Sequence, residues 1–289
     1  MSVIKAIGLR KKFGQKVVLN GIDLTVGRGR VVGIVGPNGA GKTTVINAIL
    51  GLTQFDGYLS VLGRNPWLDR DALMQEICFI ADVAVLPRWL RVDQAINYVQ
   101  GVHPRFDRDK ALEYLEQTNI SPRATVRSLS KGMVAQLHLA LVLAIDVKVL
   151  VLDEPTLGLD VIHCNKFYNF LKNNYHNSEK TIIITTHYIN EVQEMLTDLI
   201  IINDGRIILD ISTDALAQRF SVLAPRAKHT QEAMALGPLY EHLTPGRSIM
   251  LFDGVEREIL SLLGDVCTPS LADLFVMLSS KPIHRAEAV

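Results

Sequence analysis

The sequence predicts an α/β fold, and three observations carry that prediction. A β-branched run, Val31–Val35, leads into a glycine-rich nonamer and then into Val45, Ile46, Ile49 and Leu50 at helical spacing, stopped by Gly51. Further on, Lys148–Leu152, Thr181–Thr186 and Leu199–Asn203 are near-continuous apolar runs, as in parallel strands covered on both faces. Between these regions, residues 66–145 hold few glycines and several helical patterns, which reads as an insertion between parallel strands.

The flanking elements follow in chain order. Residues 3–9 and 16–26 cluster β-formers around Gly14 and Gly21 and read as short antiparallel strands. Within the insertion, helices are expected over Asp93–Gln100 and Asp109–Gln117, the second ended near Ser121-Pro122. Asp204-Gly205 is a two-residue hairpin signal into Arg206–Asp210. After Ser212 the pattern weakens. A small α+β appendage is expected there, with a strand at Ser248–Phe252 and helices near Val255–Leu263 and Ser270–Leu278. Its tail from Lys281 should fray.

The nonamer is Gly36-Pro37-Asn38-Gly39-Ala40-Gly41-Lys42-Thr43-Thr44, a complete G-x-x-x-x-G-K-[ST] loop. Its glycines let successive N–H groups converge, with no Cβ to block close approach of phosphate oxygens. The helix starting near Lys42 adds unpaired amides and the positive end of its dipole. Lys42 is expected on the β- and γ-phosphates and the Thr43 hydroxyl on Mg²⁺.

Composition bounds the partners. The 289 residues carry Lys+Arg 30 and Asp+Glu 30, so no net field attracts nucleic acid, and none is expected as a partner. The N-terminal segment is broken early by Lys5, Arg10, Lys11 and Lys12, and Leu139–Ile145 is too short to span a bilayer. The 3 cysteines, Cys78, Cys164 and Cys267, are widely spaced, which suits a reducing cytosol and buried small hydrophobes. A soluble intracellular protein is expected.

A phosphate loop alone fits kinases, GTPases and motors. Val149-Leu150-Val151-Leu152-Asp153-Glu154 narrows this, because an apolar strand ends there in two adjacent carboxylates that alternation sends different ways. Asp153 fits an outer-shell Mg²⁺ ligand, and Glu154 is then free to orient and polarise an attacking water.

With these residues in place, residues 2–211 resemble the ATP-binding subunits of ABC transporters. The resemblance rests on ordered elements: Gly36–Thr44, Leu129-Ser130-Lys131-Gly132-Met133, Leu152-Asp153-Glu154-Pro155, Leu157-Gly158-Leu159-Asp160 and Thr185-Thr186-His187. It implies a P-loop NTPase core with an antiparallel β subdomain and a helical subdomain at about residues 84–140. The ATP-binding domain would span 1–211 and an accessory region 212–289. Catalytic roles fall to Glu154, His187 and Lys42, with His187 contacting the γ-phosphate. Ser130 and the Gly132 amide match the family's signature loop, which donates to the γ-phosphate bound by the opposite subunit. Asp160 matches the loop that joins the two sites across the dimer. Phe13 sits where the family stacks a ring on adenine, with a core Phe as the alternative. The cofactors implied are ATP and Mg²⁺. The partners implied are an integral membrane permease and a second nucleotide-binding subunit, a homodimer in preference to a heterodimer. The chain would be cytoplasmic and peripheral on the inner face of the membrane.

Two departures stand out. Lys131 and Met133 replace the signature's first Gly and its Gln, while Ser130 and Gly132 survive. The family's Mg²⁺-ligating glutamine falls at Asp82, which keeps an oxygen donor but adds negative charge and shortens the reach. The Lys131 signature, Pro104-Arg105-Phe106-Asp107 and Thr268–Phe275 resemble a branch serving bacterial exporters of antibiotics or other toxic compounds. Trp89, between Arg88 and Arg91, is placed in a docking surface at Leu86–Val92 or, alternatively, inside the helical part. The competing functional class is a soluble ABC-type ATPase that regulates or acts on nucleic acid or ribosomes. No coiled coil, zinc site or second nucleotide domain supports that class.

Overall fold

The computed structural model describes residues 2–81, 86–175, 179–244 and 247–279. Its elements begin with β1 (Ser2–Phe13), β2 (Lys16–Gly27), β3 (Val31–Val35), α1 (Lys42–Ile49), β4 (Asp56–Val61), α2 (Arg70–Leu73) and β5 (Ile77–Ala81). Next come α3 (Val92–Val102), α4 (Arg108–Glu116), α5 (Lys131–Leu143), β6 (Val149–Asp153), α6 (Val161–Asn174), β7 (Thr181–Thr186) and α7 (Ile189–Val192). The last are β8 (Asp198–Asn203), β9 (Arg206–Ser212), α8 (Thr213–Arg219), β10 (Phe220–Pro225), α9 (Thr230–Ala235), β11 (Tyr240–Thr244), β12 (Arg247–Asp253), α10 (Arg257–Leu263), β13 (Gly264–Cys267) and α11 (Leu271–Ser279). Asp82 and the tail from Lys281 lie outside the described residues.

A six-stranded sheet in the order β5-β6-β7-β3-β8-β9 forms the centre, parallel from β5 to β8. Its apolar runs are continuous because each strand feeds two cores. Leu150, Leu152, Ile182, Ile184, Leu199 and Ile201 face one core, while Val149, Val151, Ile183, Ile200 and Ile202 face the other. Period-two alternation makes both sets apolar, and burying each such side chain contributes about 2 kcal/mol. β9 closes the edge antiparallel to β8. The turn between them has Asp204 at φ 46° and Gly205 at φ 70°, the paired positive angles of a primed hairpin turn.

The two cores take different covers. On one side lie α1 and a three-stranded antiparallel sheet, β2-β1-β4. On the other lie α3, α4, α5 and α6, contributing Ile96, Leu115, Leu139, Leu143, Phe167 and Leu171. α3 to α5 fall between β5 and β6, the insertion that the helical patterns indicate. Its junction with the sheet is charged: Arg105 clamps Glu76 through Nη1 and Nη2 at 2.8 and 2.7 Å, and Lys148 Nζ adds a contact at 3.2 Å. The Arg105 guanidinium holds the Glu76 carboxyl below the usual range against the opposing pull of burial.

The C-terminal region builds its own four-stranded sheet, β11-β12-β10-β13. One face packs Leu223, Met250 and Phe252 against Ala233 of α9 and Leu260 of α10. The other face, through Phe220, Val222 and Leu251, joins the large helical core together with Leu274 of α11. The expected strand and two helices are present, but β10, β11 and β13 go beyond the sequence reading, as does β4. Cys267 departs from expectation too. It is exposed on β13, a strand of 4 residues, whereas Cys164 is buried. Phe13 is not a core residue: it ends β1 opposite Lys16 and is 54% exposed, with Lys11 Nζ 4.9 Å from its ring centroid.

Candidate active site

The parallel strands end side by side, and their C-terminal loops carry the chemistry. Val35 of β3 pairs with Thr186 of β7, and Asp153 of β6 pairs with Thr185 of β7. Residues 36–44, 154 and 187 therefore emerge at one edge of the sheet.

The loop is shaped by contact as well as by glycine freedom. A Cβ at Gly36 would sit 2.2 Å from the Ile202 carbonyl oxygen, so the chain can pass there only as glycine. Gly41, at φ 111°, caps α1 without a side-chain bond, leaving the first-turn amides to a ligand. The β8–β9 hairpin braces the loop from behind, with the Gly205 amide donating to the Ala40 carbonyl at 3.1 Å.

Lys42 is 7% exposed, and its ammonium donates to the Gly36 carbonyl at 2.8 Å and to Pro37 at 3.4 Å. It also lies 3.7 Å from Glu154 Oε1. A buried ammonium held by its own loop and one carboxylate can exchange those partners for phosphate oxygens at little cost in desolvation. The Thr43 hydroxyl lies 3.5 Å from Asp153 Oδ1. Two hard oxygen donors side by side, next to a phosphate cradle, suit Mg²⁺.

Glu154 stands at φ 50°, a left-handed conformation costing about 1–3 kcal/mol for a residue with a Cβ. Three bonds hold it there. Its amide donates to the Thr185 carbonyl at 3.1 Å and to Thr185 Oγ1 at 3.2 Å, and its carbonyl accepts from the Leu157 amide at 3.1 Å. The turn brings its Oε2 to 2.8 Å from His187 Nδ1. Behind this pair, Thr156 Oγ1 donates to Glu191 Oε2 at 2.8 Å and contacts the Tyr168 phenol at 3.2 Å, tying the loop after Glu154 to α7. Burial pushes the Tyr168 phenol up, and it pushes the Cys164 thiol up to about 11.

Lys42, Thr43, Asp153, Glu154 and His187 thus form one connected group. Thr185 joins them: its hydroxyl donates to Asp153 Oδ1. Ser130 and Gly132 stand apart, at the start of α5, and no hydrogen bond joins them to residues 36–44 among the described residues. Ser130 caps the helix by accepting from the Met133 amide at 3.2 Å, which leaves its own O–H free to donate. Phe13 lies in the antiparallel sheet.

The sequence profile of the family described as ABC transporter matches residues 19–157. A Nod factor export ATP-binding protein I from Rhizobium sp. (strain N33) is 33% identical over 98% of this chain and 98% of its own. The chain belongs to the ABC transporter ATP-binding family. Its members are ATPases, and ATP hydrolysis is the activity class of this ABC protein. The daunorubicin resistance ATP-binding protein DrrA3 from Streptomyces coeruleorubidus is 32% identical over 82% of this chain and 78% of its own. Among solved structures, a dimeric bacterial ABC transporter cassette aligns at TM-score 0.62 and 25% identity, over 72% of this chain and 98% of its own.

Two features of this ABC site go beyond the sequence reading. Thr185 orients both Asp153 and the Glu154 backbone, and only strand register reveals it. The left-handed Glu154 is the other, since Pro155 signals the end of the strand but not a positive φ at the residue before it.

Proposed function

We propose that the chain is the ATP-hydrolysing engine of an exporter. Two copies would close head to tail over two ATP–Mg²⁺, and hydrolysis would part them. That motion would drive a separate integral membrane subunit. The observation carrying this reading is the division of the site. Lys42, Thr43, Asp153, Glu154 and His187 are joined in one group, while a capped helix start at Ser130 and Gly132 lies away from it.

Each residue has a role in the closed pair. Residues 36–41 cradle the phosphates with backbone amides, and Lys42 exchanges its loop carbonyls for the β- and γ-phosphates. Thr43 and Asp153 hold Mg²⁺, with Asp82 as a further oxygen donor. When bound, the metal would supply Lewis-acid polarisation of the phosphoryl oxygens. Glu154 orients and polarises the attacking water. His187, its Nδ1 occupied by Glu154, keeps Nε2 for a γ-phosphate oxygen. Thr44 follows as the next residue of the α1 first turn, and Phe13 stacks on adenine. Ser130 and Gly132 complete the opposite subunit's γ-phosphate site.

Export is favoured over import because the Nod factor and daunorubicin relatives carry export or resistance in their names. Among the described residues no helix is long and apolar enough to cross a membrane. The chain would therefore act as a peripheral subunit on the inner membrane face, with residues 1–211 as the ATP-binding domain and 212–289 as the accessory region. The docking surface falls at Leu86–Val92. Trp89 there is 73% exposed, and Leu86 and Arg88 line a cavity of about 560 Å³. Charge reversal at Arg88 and Arg91 with Trp89→Ala should uncouple transport in membrane vesicles and leave nucleotide binding intact. The engine itself is tested with Glu154→Gln. That variant should lose hydrolysis by more than about 100-fold, retain ATP and elute as a dimer. Failure both to retain ATP and to dimerise would overturn the reading.

A further inference from the structure

The signature glycine and the Asp160 carboxylate meet on one imidazole. Two helix starts lie side by side: α5 capped by Ser130, and α6 capped by Asp160, whose Oδ1 accepts from the His163 amide at 2.9 Å. His163 turns its ring back over its own cap. Its Nδ1 lies 2.7 Å from Asp160 Oδ2 and 2.9 Å from Oδ1. Those bonds, the amide first and the ring second, hold the Asp160 carboxyl below the usual carboxylate range.

The far edge of the same ring presses on Gly132. A Cβ at that position would lie 2.1 Å from His163 Cδ2, 2.6 Å from Nε2 and 2.7 Å from Cγ. Gly132 is the second residue of α5 and has no positive φ, so its backbone would accept any residue. A side chain there would have to displace the imidazole, which occupies the space it needs. As a second helical residue its amide has no carbonyl within the helix, so it is available to an anion.

We infer that His163 is a positioning residue for ATP-driven closure of two subunits. The inference rests on the shared-site reading above. The ring locks Asp160 to Gly132, so that the carboxylate and the amide offered to the opposite subunit arrive as one unit in a fixed relative geometry. His163 acts through Asp160 and Gly132 and is assigned no contact with nucleotide. Its loss loosens two groups that must meet the partner together and leaves the phosphate loop of its own chain untouched. Such misplacement is expected to cost closure about tenfold.

The test uses the full chain in the Glu154→Gln background. Closure is read as the ATP concentration giving half dimer on size exclusion, and nucleotide affinity of the monomer is read separately with labelled ATP. His163→Ala should raise the closure midpoint by about tenfold and leave monomer affinity within about twofold, while His163→Asn, which can still donate to Asp160, recovers part of the loss. Gly132→Ala should be at least as defective, and adding His163→Ala should partly rescue it, because removing the ring frees room for the new methyl. Should Gly132→Ala not fold, the two His163 variants decide alone. A parent that pairs on ATP while His163→Ala pairs equally well overturns this inference and spares the shared site. So does a double variant whose defects simply multiply. A parent that forms no ATP-dependent pair removes the shared site, and this inference with it.

Discussion

The phosphate-loop region and the signature region, both assigned to a triphosphate in the proposed function, are held in different ways. Lys42, Glu154 and His187 are tied to one another across three strand ends, at 3.7 and 2.8 Å, with a left-handed Glu154 fixed by Thr185. Ser130, Gly132 and Asp160 are tied to helix starts and to a single imidazole. The first arrangement balances charges that stay in the chain. The second organises neutral donors and one carboxylate held by His163, and among the described residues no hydrogen bond joins Ser130, Gly132 or Asp160 to residues 36–44. On the proposed reading, the chain would be finished as a nucleotide binder and unfinished as a hydrolase, and closure would supply the missing half.

Several variants would break or sharpen that contrast. Thr185→Val should act only on the phosphate side. It removes the hydroxyl that orients Asp153 and bonds the Glu154 amide, and a lost supporting partner of this kind costs about 10–100-fold in metal affinity or turnover. A Mg²⁺ titration of ATPase rate checks it, and ATP-driven pairing in the Glu154→Gln background should survive. Phe13→Ala should weaken ATP affinity by about 2–10-fold, the worth of one aromatic contact, with turnover at saturating ATP unchanged. Fluorescent-nucleotide titration separates the two quantities.

A separate effect, on stability alone, belongs to the signature helix. Burial pushes His138 on α5 down to about 4, and its Nε2 has no partner among the described residues. The folded value lies below the unfolded one, so the unfolded chain binds the extra proton. Stability is full above about pH 6.5 and is lost as pH falls toward 4. His138→Leu should therefore gain about 2 kcal/mol at pH 5 relative to pH 8. Melting curves at the two pH values measure it, and an equal gain at both would point to packing alone.

What could be read in the sequence follows from burial. β3, β6, β7 and β8 stand out because both of their faces are buried, which turns period two into unbroken apolar runs. The phosphate loop stands out because its glycines and lysine keep one fixed spacing, with Gly36 required by the Ile202 carbonyl and Gly41 by its positive φ. The C-terminal sheet does not: β10 ends on Pro225, β13 has 4 residues, and Tyr240–Thr244 is polar in character. β4 opens on Asp56-Gly57, a turn signal that hides an edge strand. The contacts of Thr185 and His163 are invisible for another reason. Each residue acts through a contact across elements, a strand register in one case and a helix–helix approach in the other, and no local pattern encodes either.

The claim at the centre is that each ATP is hydrolysed between one chain's phosphate loop and the other chain's signature. Mixing two defective chains tests it directly, one carrying Lys42→Ala and the other Ser130→Phe. Each alone has two broken sites, but a mixed pair holds one site with an intact Lys42 and an intact Ser130. The account predicts two inactive proteins whose mixture hydrolyses ATP. A mixture as inactive as its components, or a Ser130→Phe chain with undiminished turnover on its own, would contradict it.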